Sequence, residues 1–333
     1  MHRIDDSQYE RLVAGAALTP LVEWSAVRVT GGDRQEFLNK FCTQDLKPLR
    51  AGQGTETLFT DVKGKIVAAA LVAVDESEIT LLAPPGLAAG LIAHLDRYCI
   101  REDVQFADAT SDARRCLVMG AQASAAIGAA ANVPATDVPA TAWEHGLLTL
   151  GGASCRVQRC PLLHVPAWIV EVASSQASAV EAALAAGGAA LADGELLHVV
   201  RIESGWPLFG VDYTAANLPQ EASRNAQAVS FRKGCYLGQE TVARIDALGH
   251  VNRQIVTVCG ADAVDADWAA GAELVAGDQV VGQITSAGWS PRLARPLALA
   301  MVRRGSNAVG AKLACGDTTV EVIATPAVAA ASE

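Results

Sequence analysis

The segment KGCYLGQE, Lys233–Glu240, has the residue types and spacing of a reactive thiol site. Two glycines flank Cys235, so the backbone can bend tightly there and leave the thiol accessible. Arg232 and Lys233 come directly before it, and nearby cations stabilise the thiolate, the form that attacks, binds metal or accepts sulfur. The next residues, Thr241–Arg244, predict the start of a helix, whose N-terminus also favours an anion. The alternative is a glycine turn in which the cysteine is incidental.

A second group of polar residues surrounds a turn in the segment RIESGWPLFGVD, Arg201–Asp212. Glu203 and Asp212 stand on the two sides of this turn. A carboxylate such as that of Glu203 can accept hydrogen bonds from several donors at once, as on the amino-pyrimidine edge of a pterin. The alternative role of Glu203 is to cap the local turn.

The net charge of the chain is −10, which argues against a dedicated nucleic-acid binder because such proteins neutralise phosphates. The stretch from 224 to 253 is nevertheless basic. It holds two acids against five basic residues, which are Arg224, Arg232, Lys233, Arg244 and Arg253. A local basic patch on an acidic protein suits a small anionic ligand. A solvated charged surface is the alternative interpretation.

The eight cysteines predict reduced thiols and no metal site. None belongs to a CxxC pair, and the closest two, Cys155 and Cys160, are five residues apart. A chain of this length without a secretory signal is expected to keep its thiols reduced. The sequence offers no self-contained zinc or iron–sulfur ligand set. No apolar run is long enough to span a bilayer, so we expect a cytoplasmic protein with no membrane partner.

The elements that must position these residues alternate between strands and helices up to about residue 250. Asp33 and Glu36 have the spacing of a capping box at the start of the first of these helices, and Asp61–Gly64 predicts a hairpin turn. The pattern of strands and helices recurs loosely, so two similar α+β units are expected. Beyond Gly249, closely spaced glycines separate short β-rich runs, which predicts a small barrel or sandwich.

These segments together resemble the YgfZ-type folate-binding proteins, which are relatives of the glycine-cleavage T-protein. The matching segments are EWSAVRVTGGDRQEFLNKFCTQDL (23–46), DVKGKI (61–66), RIESGWPLFGVD (201–212), NLPQEA (217–222), VSFRKGCYLGQETVAR (229–244) and SAGWSP (286–291). They span nearly the whole chain. The KGCYLGQE segment is highly specific to this branch of the family.

The resemblance implies an α+β fold in which three domains form a ring around a central folate site. Two of the domains are expected to be ferredoxin-like and to exchange segments, and the third to be a C-terminal β-barrel. The corresponding limits are a folate-binding unit at 1–115, a second unit with the KGCYLGQE segment at 116–249, and the barrel at 250–325.

The resemblance also implies a function. The bound ligand is expected to be tetrahydrofolate or a folate derivative, and the protein to support the assembly or repair of iron–sulfur clusters. One class of client enzyme thiolates tRNA, so the effect on tRNA modification is indirect. The implied partners are folate and iron–sulfur enzymes or assembly factors, without direct contact with nucleic acid. Cys235 matches the cysteine most associated with activity in the family, with Lys233 beside it.

The folate contacts can be carried over residue by residue. Trp24 matches a folate-contacting tryptophan. A second tryptophan of the family falls at about Leu197, and Trp206 is the aromatic residue nearest to that point. The expected contacts are Trp24, Lys63, Glu203, Trp206, Asp212, Tyr236 and Arg244.

A folate-dependent aminomethyltransferase or demethylase is the main alternative. One-carbon transfer needs a group that orients or protonates the reacting nitrogen. The T-protein pattern has an aspartate pair shortly after the glycine turn, where this chain has Ala68, Ala69 and Ala70. We therefore do not expect conventional aminomethyl transfer. A scaffold that uses folate only as a structural ligand is the third interpretation.

Overall fold

The structure, a computed structural model, describes residues 4–260 and 268–324. The first three residues of the expected first domain, and residues 261–267 and 325 of the expected barrel, lie outside the described residues. The elements below belong to the described part of the chain.

The helices are short, and most lie between strands. The α-helices are α1 (Asp6–Ala14), α2 (Arg34–Asn39), α3 (Ala88–Asp96), α4 (Ala123–Ala131), α5 (Ala177–Ala186), α6 (Gly194–Glu203), α7 (Asn225–Ala228) and α8 (Gln239–Leu248). Single 3-10 turns occur at Ala135–Asp137, Ser174–Gln176 and Pro219–Ala222.

The strands fall into three groups along the chain. The first group and the N-terminal strand are β1 (Ala16–Pro20), β2 (Ser25–Thr30), β3 (Gln53–Thr60), β4 (Ile66–Val74), β5 (Glu78–Ala83) and β6 (Gln105–Asp108). The second group is β7 (Ala113–Met119), β8 (His145–Leu150), β9 (Ala153–Arg159), β10 (Ala167–Ala173) and β11 (Ala189–Leu191). The third group is β12 (Arg253–Gly260), β13 (Glu273–Ala276), β14 (Gln279–Ser290), β15 (Arg295–Arg303), β16 (Lys312–Cys315) and β17 (Thr318–Ile323).

The first sheet has the strand order β3-β4-β5-β2-β6. Its strand β4, with the sequence IVAAALVAV, is buried along nearly its whole length. A continuous apolar run of this kind marks a strand that is covered on both faces. One face contributes to a core with Phe37, Leu38 and Leu95 from α2 and α3. The other face is turned towards the candidate site described below.

The second sheet has the order β11-β1-β7-β10-β9-β8 and is covered by α4 and α5. Strand β1 pairs in parallel with β11 and antiparallel with β7. The N-terminal segment through Pro20 therefore lies in the second sheet, apart from β2–β6, which follow it in the chain. This is the segment exchange that the resemblance implied.

The segment 194–248 connects all three units. Helix α6 packs against β1 of the second sheet and against β14 and β15 of the third group, while α7 packs against β3 of the first sheet. Strands β12–β17 form a closed barrel in the order β12-β15-β14-β13-β16-β17. The expected α+β fold with a C-terminal barrel is thus confirmed.

One local prediction at the start of α2 is wrong. Asp33 precedes α2 but makes no side-chain hydrogen bond to its first turn. Its Oδ2 instead accepts a hydrogen bond from the backbone N–H of Asp103, at 2.9 Å. A tertiary contact with the loop before β6 has replaced the local cap, which sequence spacing alone does not reveal.

Candidate functional site

A small cavity of about 20 Å³ lies between the first sheet and the segment 206–213. The sheet contributes residues from β3, β4 and β5, and the segment after α6 forms the opposite wall. The lining residues are Trp24, Glu56, Ala69, Ala70, Leu71, Leu82, Pro84, Trp206, Pro207, Leu208, Phe209 and Tyr213. The volume is well below the ~300–1,000 Å³ that is usual for small-molecule sites, so a ring-sized ligand can enter only if the cavity walls move apart.

Two predicted folate contacts, Trp24 and Trp206, lie side by side in this lining. Their ring centroids are 6.1 Å apart and their planes are inclined by 44°. Both side chains are buried in the same apolar cluster, and Leu197 packs against that cluster. The structure therefore brings a second tryptophan to the cavity by way of the loop after α6, while the helical position at 197 holds leucine.

Glu203, another predicted contact, is not part of the cavity lining. Its Oε2 accepts a hydrogen bond from the Tyr9 hydroxyl at 2.6 Å, and its Oε1 accepts one from the Ser290 hydroxyl. His164 Nε2 lies 3.5 Å from the same carboxylate. Burial raises the pKa of Glu203 above its ordinary value. Glu203 thus joins α1, α6 and the barrel, and neither oxygen is directed to the cavity as a free acceptor.

Asp212 has a similar joining role. It accepts hydrogen bonds from Arg201 Nη1 and the Leu208 N–H, both at 2.8 Å, and from the hydroxyls of Thr285 and Ser286 at 2.7 and 2.6 Å. Four donors use the full acceptor capacity of a carboxylate. Burial lowers the pKa of Arg201, although Asp212 opposes that shift. Asp212 therefore fixes the loop after α6 to the barrel.

The cavity contains one acid that sequence reasoning missed. Glu56 of β3 is buried and forms a two-point ion pair with Arg224, with Nε at 3.1 Å from Oε1 and Nη2 bonded to Oε2. Arg224 is also buried. The sequence did contain a signal for this ion pair. Glu56 stands inside the buried strand QGTETLFT, and a buried charge requires a partner.

The alanines at the expected acid positions are partly in the cavity. Ala69 and Ala70 line it, whereas Ala68 packs in the core beneath α2 and α3. At these positions the wall offers methyl groups and backbone. Neither Ala69 nor Ala70 can transfer a proton to a group in the cavity.

The thiol loop, residues 229–238, lies at the far end of the β3–β4 hairpin. Cys235 is exposed, Cys99 is half-buried and the other six cysteines are buried; all eight are free thiols. Helix α8 begins at Gln239, two residues earlier than predicted, with Gly238 as its left-handed N-cap residue. The thiol is therefore presented at the surface just ahead of a helix.

Lys233 does not lie in an exposed basic patch. Its ammonium is buried and donates to the carbonyl oxygens of Asn39, Cys42 and Gln44 at 2.7, 2.9 and 2.8 Å. Burial lowers the pKa of Lys233. The ammonium therefore anchors the thiol loop to the C-terminal end of α2.

The other four cations of the predicted basic patch are divided between paired and exposed positions. Arg224 is paired inside the protein, and Arg253 lies 3.2 Å from Glu221. Arg232 and Arg244 are exposed. The five cations therefore do not form the predicted local basic patch, because Arg224 and Lys233 are buried and Arg253 is paired with Glu221.

The hairpin tip and the thiol loop meet through two glycines. A Cβ atom on Gly238, whose φ is +82°, would lie 2.3 Å from the Asp61 carbonyl oxygen and 2.8 Å from Gly64 Cα. Thr60 Oγ1 donates to the Leu237 carbonyl at 2.5 Å. The two segments thus contact each other backbone to backbone, at a distance that only glycine permits.

The remaining predicted contacts surround this junction. Lys63 is exposed at the hairpin tip, and Arg244 is exposed on α8. Tyr236 is buried with Val229 and Val242, and the Lys233 ammonium lies 5.3 Å from its ring centre. Burial raises the pKa of Tyr236. None of these three residues lines the cavity, so the structure places them with the thiol.

Two features are absent from the described residues, 4–260 and 268–324. No set of three or more His, Cys, Asp or Glu side chains in this part of the chain is arranged to hold a metal ion. Among the same residues, no helix has the length and apolar character needed to cross a bilayer.

The arrangement of two sheets that share segments and a C-terminal barrel is also found in a solved T-protein. The glycine cleavage system aminomethyltransferase T from Bartonella henselae has a TM-score of 0.84 to this chain. That match covers 96% of this chain and 88% of the other, at 19% sequence identity, so it concerns the fold alone.

Sequence comparison is more specific. The GCVT N-terminal domain family matches residues 2–233, and the glycine cleavage T-protein C-terminal barrel domain matches residues 253–328. The tRNA-modifying protein YgfZ of Edwardsiella ictaluri is 32% identical over 255 residues, and that of Yersinia pseudotuberculosis serotype IB is 28% identical over 248. Each match covers 73% of this chain and 71% of the relative. The chain belongs to the glycine cleavage T-protein family, in its YgfZ-type branch.

Proposed function

We propose that this protein binds tetrahydrofolate or a related folate in the two-tryptophan cavity and uses Cys235 to support the assembly or repair of iron–sulfur clusters. Its effect on tRNA modification is then indirect, through client enzymes that depend on such clusters, and its site of action is the cytoplasm. The observation that carries the proposal is the β3–β4 hairpin, whose strands line the cavity and whose tip contacts the loop of the exposed thiol.

The residues that line the cavity support the choice of a reduced pterin as ligand. The indoles of Trp24 and Trp206 offer flat apolar surfaces, and Ala69 and Ala70 leave space beside them. Glu56 offers hydrogen-bond acceptors, and a carboxylate is the appropriate partner for ring N–H groups. When bound, tetrahydrofolate supplies a reduced ring that can carry one-carbon units.

Cys235 is the group through which this chain can act on a client. It is exposed, whereas the other seven cysteines are buried or half-buried, so a macromolecule can reach it. A surface thiol can hold an iron ion, accept sulfur, or exchange with a disulfide. Lys233 contributes by fixing the loop that presents the thiol.

The comparisons support the cellular part of the proposal. Both YgfZ relatives bear the name tRNA-modifying protein. The net charge of −10 disfavours direct tRNA binding by this chain, because such binding depends on neutralising phosphates. An effect on tRNA through a client enzyme reconciles these two facts.

The folate part is tested by calorimetry with tetrahydrofolate under anaerobic conditions. We expect binding by the wild type and a loss of at least about tenfold in affinity for Trp24→Leu, because a ring face of the cavity is removed. Trp168→Leu is the matched control, since Trp168 is equally buried but lies in the second sheet away from the cavity. Absence of binding by the wild type contradicts the proposal.

The thiol part is tested in cells that lack the native protein. Cys235→Ala is expected to leave tRNA thiolation by an iron–sulfur enzyme at the level of the deletion strain, while Cys99→Ala restores it. Protein levels are measured by immunoblot to exclude loss of the variants. Full restoration by Cys235→Ala rules out the assigned role of Cys235.

A further inference from the structure

A hollow of about 210 Å³ lies on the wall of the C-terminal barrel, where β12, β14 and β15 run side by side. We call it the barrel hollow. It is larger than the two-tryptophan cavity, and the two share no lining residue among the described residues. A space of this size holds several water molecules or one small organic molecule.

The backbone of β14 creates the barrel hollow. The pairing of β13 with β14 shifts between Leu274 and Val275, so that Val281 of β14 is the extra residue of a β-bulge. A bulge bends its strand and redirects side chains, and bulges are frequent next to binding sites. The neighbouring Gly282 lies close to β15, because a Cβ atom there would be 2.6 Å from the Met301 carbonyl oxygen. With glycine at this position, no side chain fills the space beside the bulge.

Two arginines stand opposite each other beside this space. Arg253 of β12 and Arg303 of β15 are directly paired in the antiparallel register, and both line the barrel hollow. Residues paired in this way project from the same face of a sheet, and like charges in such a pair are destabilising. An anion bound between the two guanidiniums removes that repulsion.

The protein itself neutralises only one member of the pair within the described residues. Arg253 Nε lies 3.2 Å from Glu221 Oε1, while Glu221 Oε2 accepts hydrogen bonds from Asn217 and the Leu218 N–H. Arg303 has no ion pair with any acid in residues 4–260 and 268–324. The lining of the barrel hollow is therefore positively charged, in a chain whose net charge is −10.

The other lining residues favour an organic ligand. Val280, Val281 and Met301 offer apolar surface, and Gln283 offers an amide that can donate or accept. Val280 is 43% exposed, so part of this apolar surface is open to a ligand. An inorganic ion alone leaves it uncovered, whereas a short hydrocarbon body attached to the anionic group covers it.

We propose that the barrel hollow binds a small organic dianion, either a phosphate monoester or a dicarboxylate. The guanidiniums of Arg253 and Arg303 hold the anionic groups, because the guanidinium fork matches the geometry of both phosphate and carboxylate. The hydrocarbon body rests on Met301 and the two valines. This site goes beyond the proposed function and requires neither folate nor Cys235.

Calorimetry on the full chain without folate tests the proposal with three probes. Phenyl phosphate carries a dianionic group on an apolar ring, glutarate carries two carboxylates on a short chain, and phenol is the uncharged control. We expect saturable binding of at least one dianion, weakening as salt is added, and no binding of phenol. The dianion that binds more tightly identifies the source of the anionic group.

Arg303→Met is the test variant, and Arg304→Met is its matched control. Arg304 is the next residue, is exposed and is not among the lining residues. Arg303→Met is expected to weaken binding of the dianion by at least about tenfold, because a charge-assisted contact is lost, while Arg304→Met changes it little. Without ligand, Arg303→Met is expected to unfold at the temperature of the wild type or above it, since repulsion is relieved.

Several results would overturn the proposal. They are failure of the wild type to bind either dianion, binding of phenol as tight as that of phenyl phosphate, and equal affinities of the wild type and Arg303→Met. Equal losses in the two variants would show general electrostatic attraction without a site. A lower unfolding temperature for Arg303→Met without ligand would show that Arg303 serves the fold, and the proposal would fail on that result too.

Discussion

The two ends of the β3–β4 hairpin are built by opposite means. At its base, strands β3 and β4 line the cavity, and the side chains Glu56 and Arg224 place a buried ion pair there. At its tip, contact is made by backbone atoms of Gly64 and Gly238, beside an exposed thiol. The base is thus held together by buried side chains, whereas the tip is held together by backbone contact and presents an exposed thiol.

The largest effect is expected at the base of the hairpin. Arg224→Met leaves Glu56 as a buried charge without a partner, which typically destabilises a protein by about 3–5 kcal/mol. The measurement is urea unfolding followed by circular dichroism. Arg253→Met, which removes a half-exposed ion pair, serves as the control and is expected to cost less than about 1 kcal/mol.

The ion pair can also be removed as a unit. Replacing both partners by apolar residues, as in Glu56→Leu with Arg224→Met, is expected to recover most of the lost stability, because the uncompensated charge is gone. The same double variant is expected to lose folate binding. If Arg224→Met alone unfolds at the same urea concentration as the wild type, the base of the hairpin is not organised by this pair.

Lys233→Met is expected to have the next largest effect, on the tip side. It deprives three buried carbonyl oxygens of their donor, which corresponds to about 2 kcal/mol of stability. Arg232→Met is the control, because Arg232 is exposed and adjacent in sequence. Equal unfolding midpoints for the two variants would contradict the anchoring role of Lys233.

Lys233 also predicts a pH dependence. Its pKa in the folded protein is lowered by burial below the usual 10.5. Between the lowered value and 10.5 the unfolded chain holds a proton that the folded protein has released, so stability rises with pH across that window. Lys233→Met is expected to remove this alkaline rise, as measured by thermal unfolding across a pH series.

Gly238→Ala tests the backbone contact itself. The left-handed conformation alone costs an alanine about 1 kcal/mol, and the added Cβ also meets the Asp61 carbonyl. Gly249→Ala is the matched control, with a φ of +70° and no atom within 4 Å of its added Cβ. We expect Gly238→Ala to be the more destabilising by about 1–2 kcal/mol and to change the alkylation rate of Cys235. If Gly238→Ala and Gly249→Ala lower the free energy of unfolding by the same amount, the contact between Gly238 and Asp61 does not contribute to stability.

The smallest effect on stability is expected for Cys235→Ala. The side chain is exposed, and surface substitutions usually change stability by about 0.5 kcal/mol or less. Brief treatment of the native protein with a thiol reagent is expected to label the wild type at one position and to leave Cys235→Ala nearly unlabelled. Comparable labelling of both proteins would mean that another cysteine is accessible.

Local sequence patterns predicted much of this arrangement. The hairpin turn at Asp61–Gly64, the barrel after Gly249 and the surface thiol all follow from short-range composition, because turns, strand alternation and glycine flexibility are local properties. The resemblance added the segment exchange and directed attention to Trp24.

The pair Glu56–Arg224 could not be predicted in this way, since its members are 168 residues apart and neither segment alone indicates a partner. The same limitation explains Lys233 and Glu203. Their residue types suggested free charges next to a motif, but their hydrogen bonds go to distant segments, Lys233 to the end of α2 and Glu203 to α1 and the barrel. Position near a motif therefore indicated the right region without indicating which side chains remain open to a ligand.

The parallel pairing of β1 with β11 has a consequence for how the chain acquires its structure. Strand β1 is synthesised first, yet its neighbours β7 and β11 emerge only after about a further hundred and a hundred and seventy residues. The first sheet is made entirely from residues 25–108, so it can form before β1 has any partner strand to pair with. Because long-range pairing is slow, closure of the second sheet is expected to limit the folding rate, and an N-terminal truncation that removes β1 should impair refolding while the first sheet still forms.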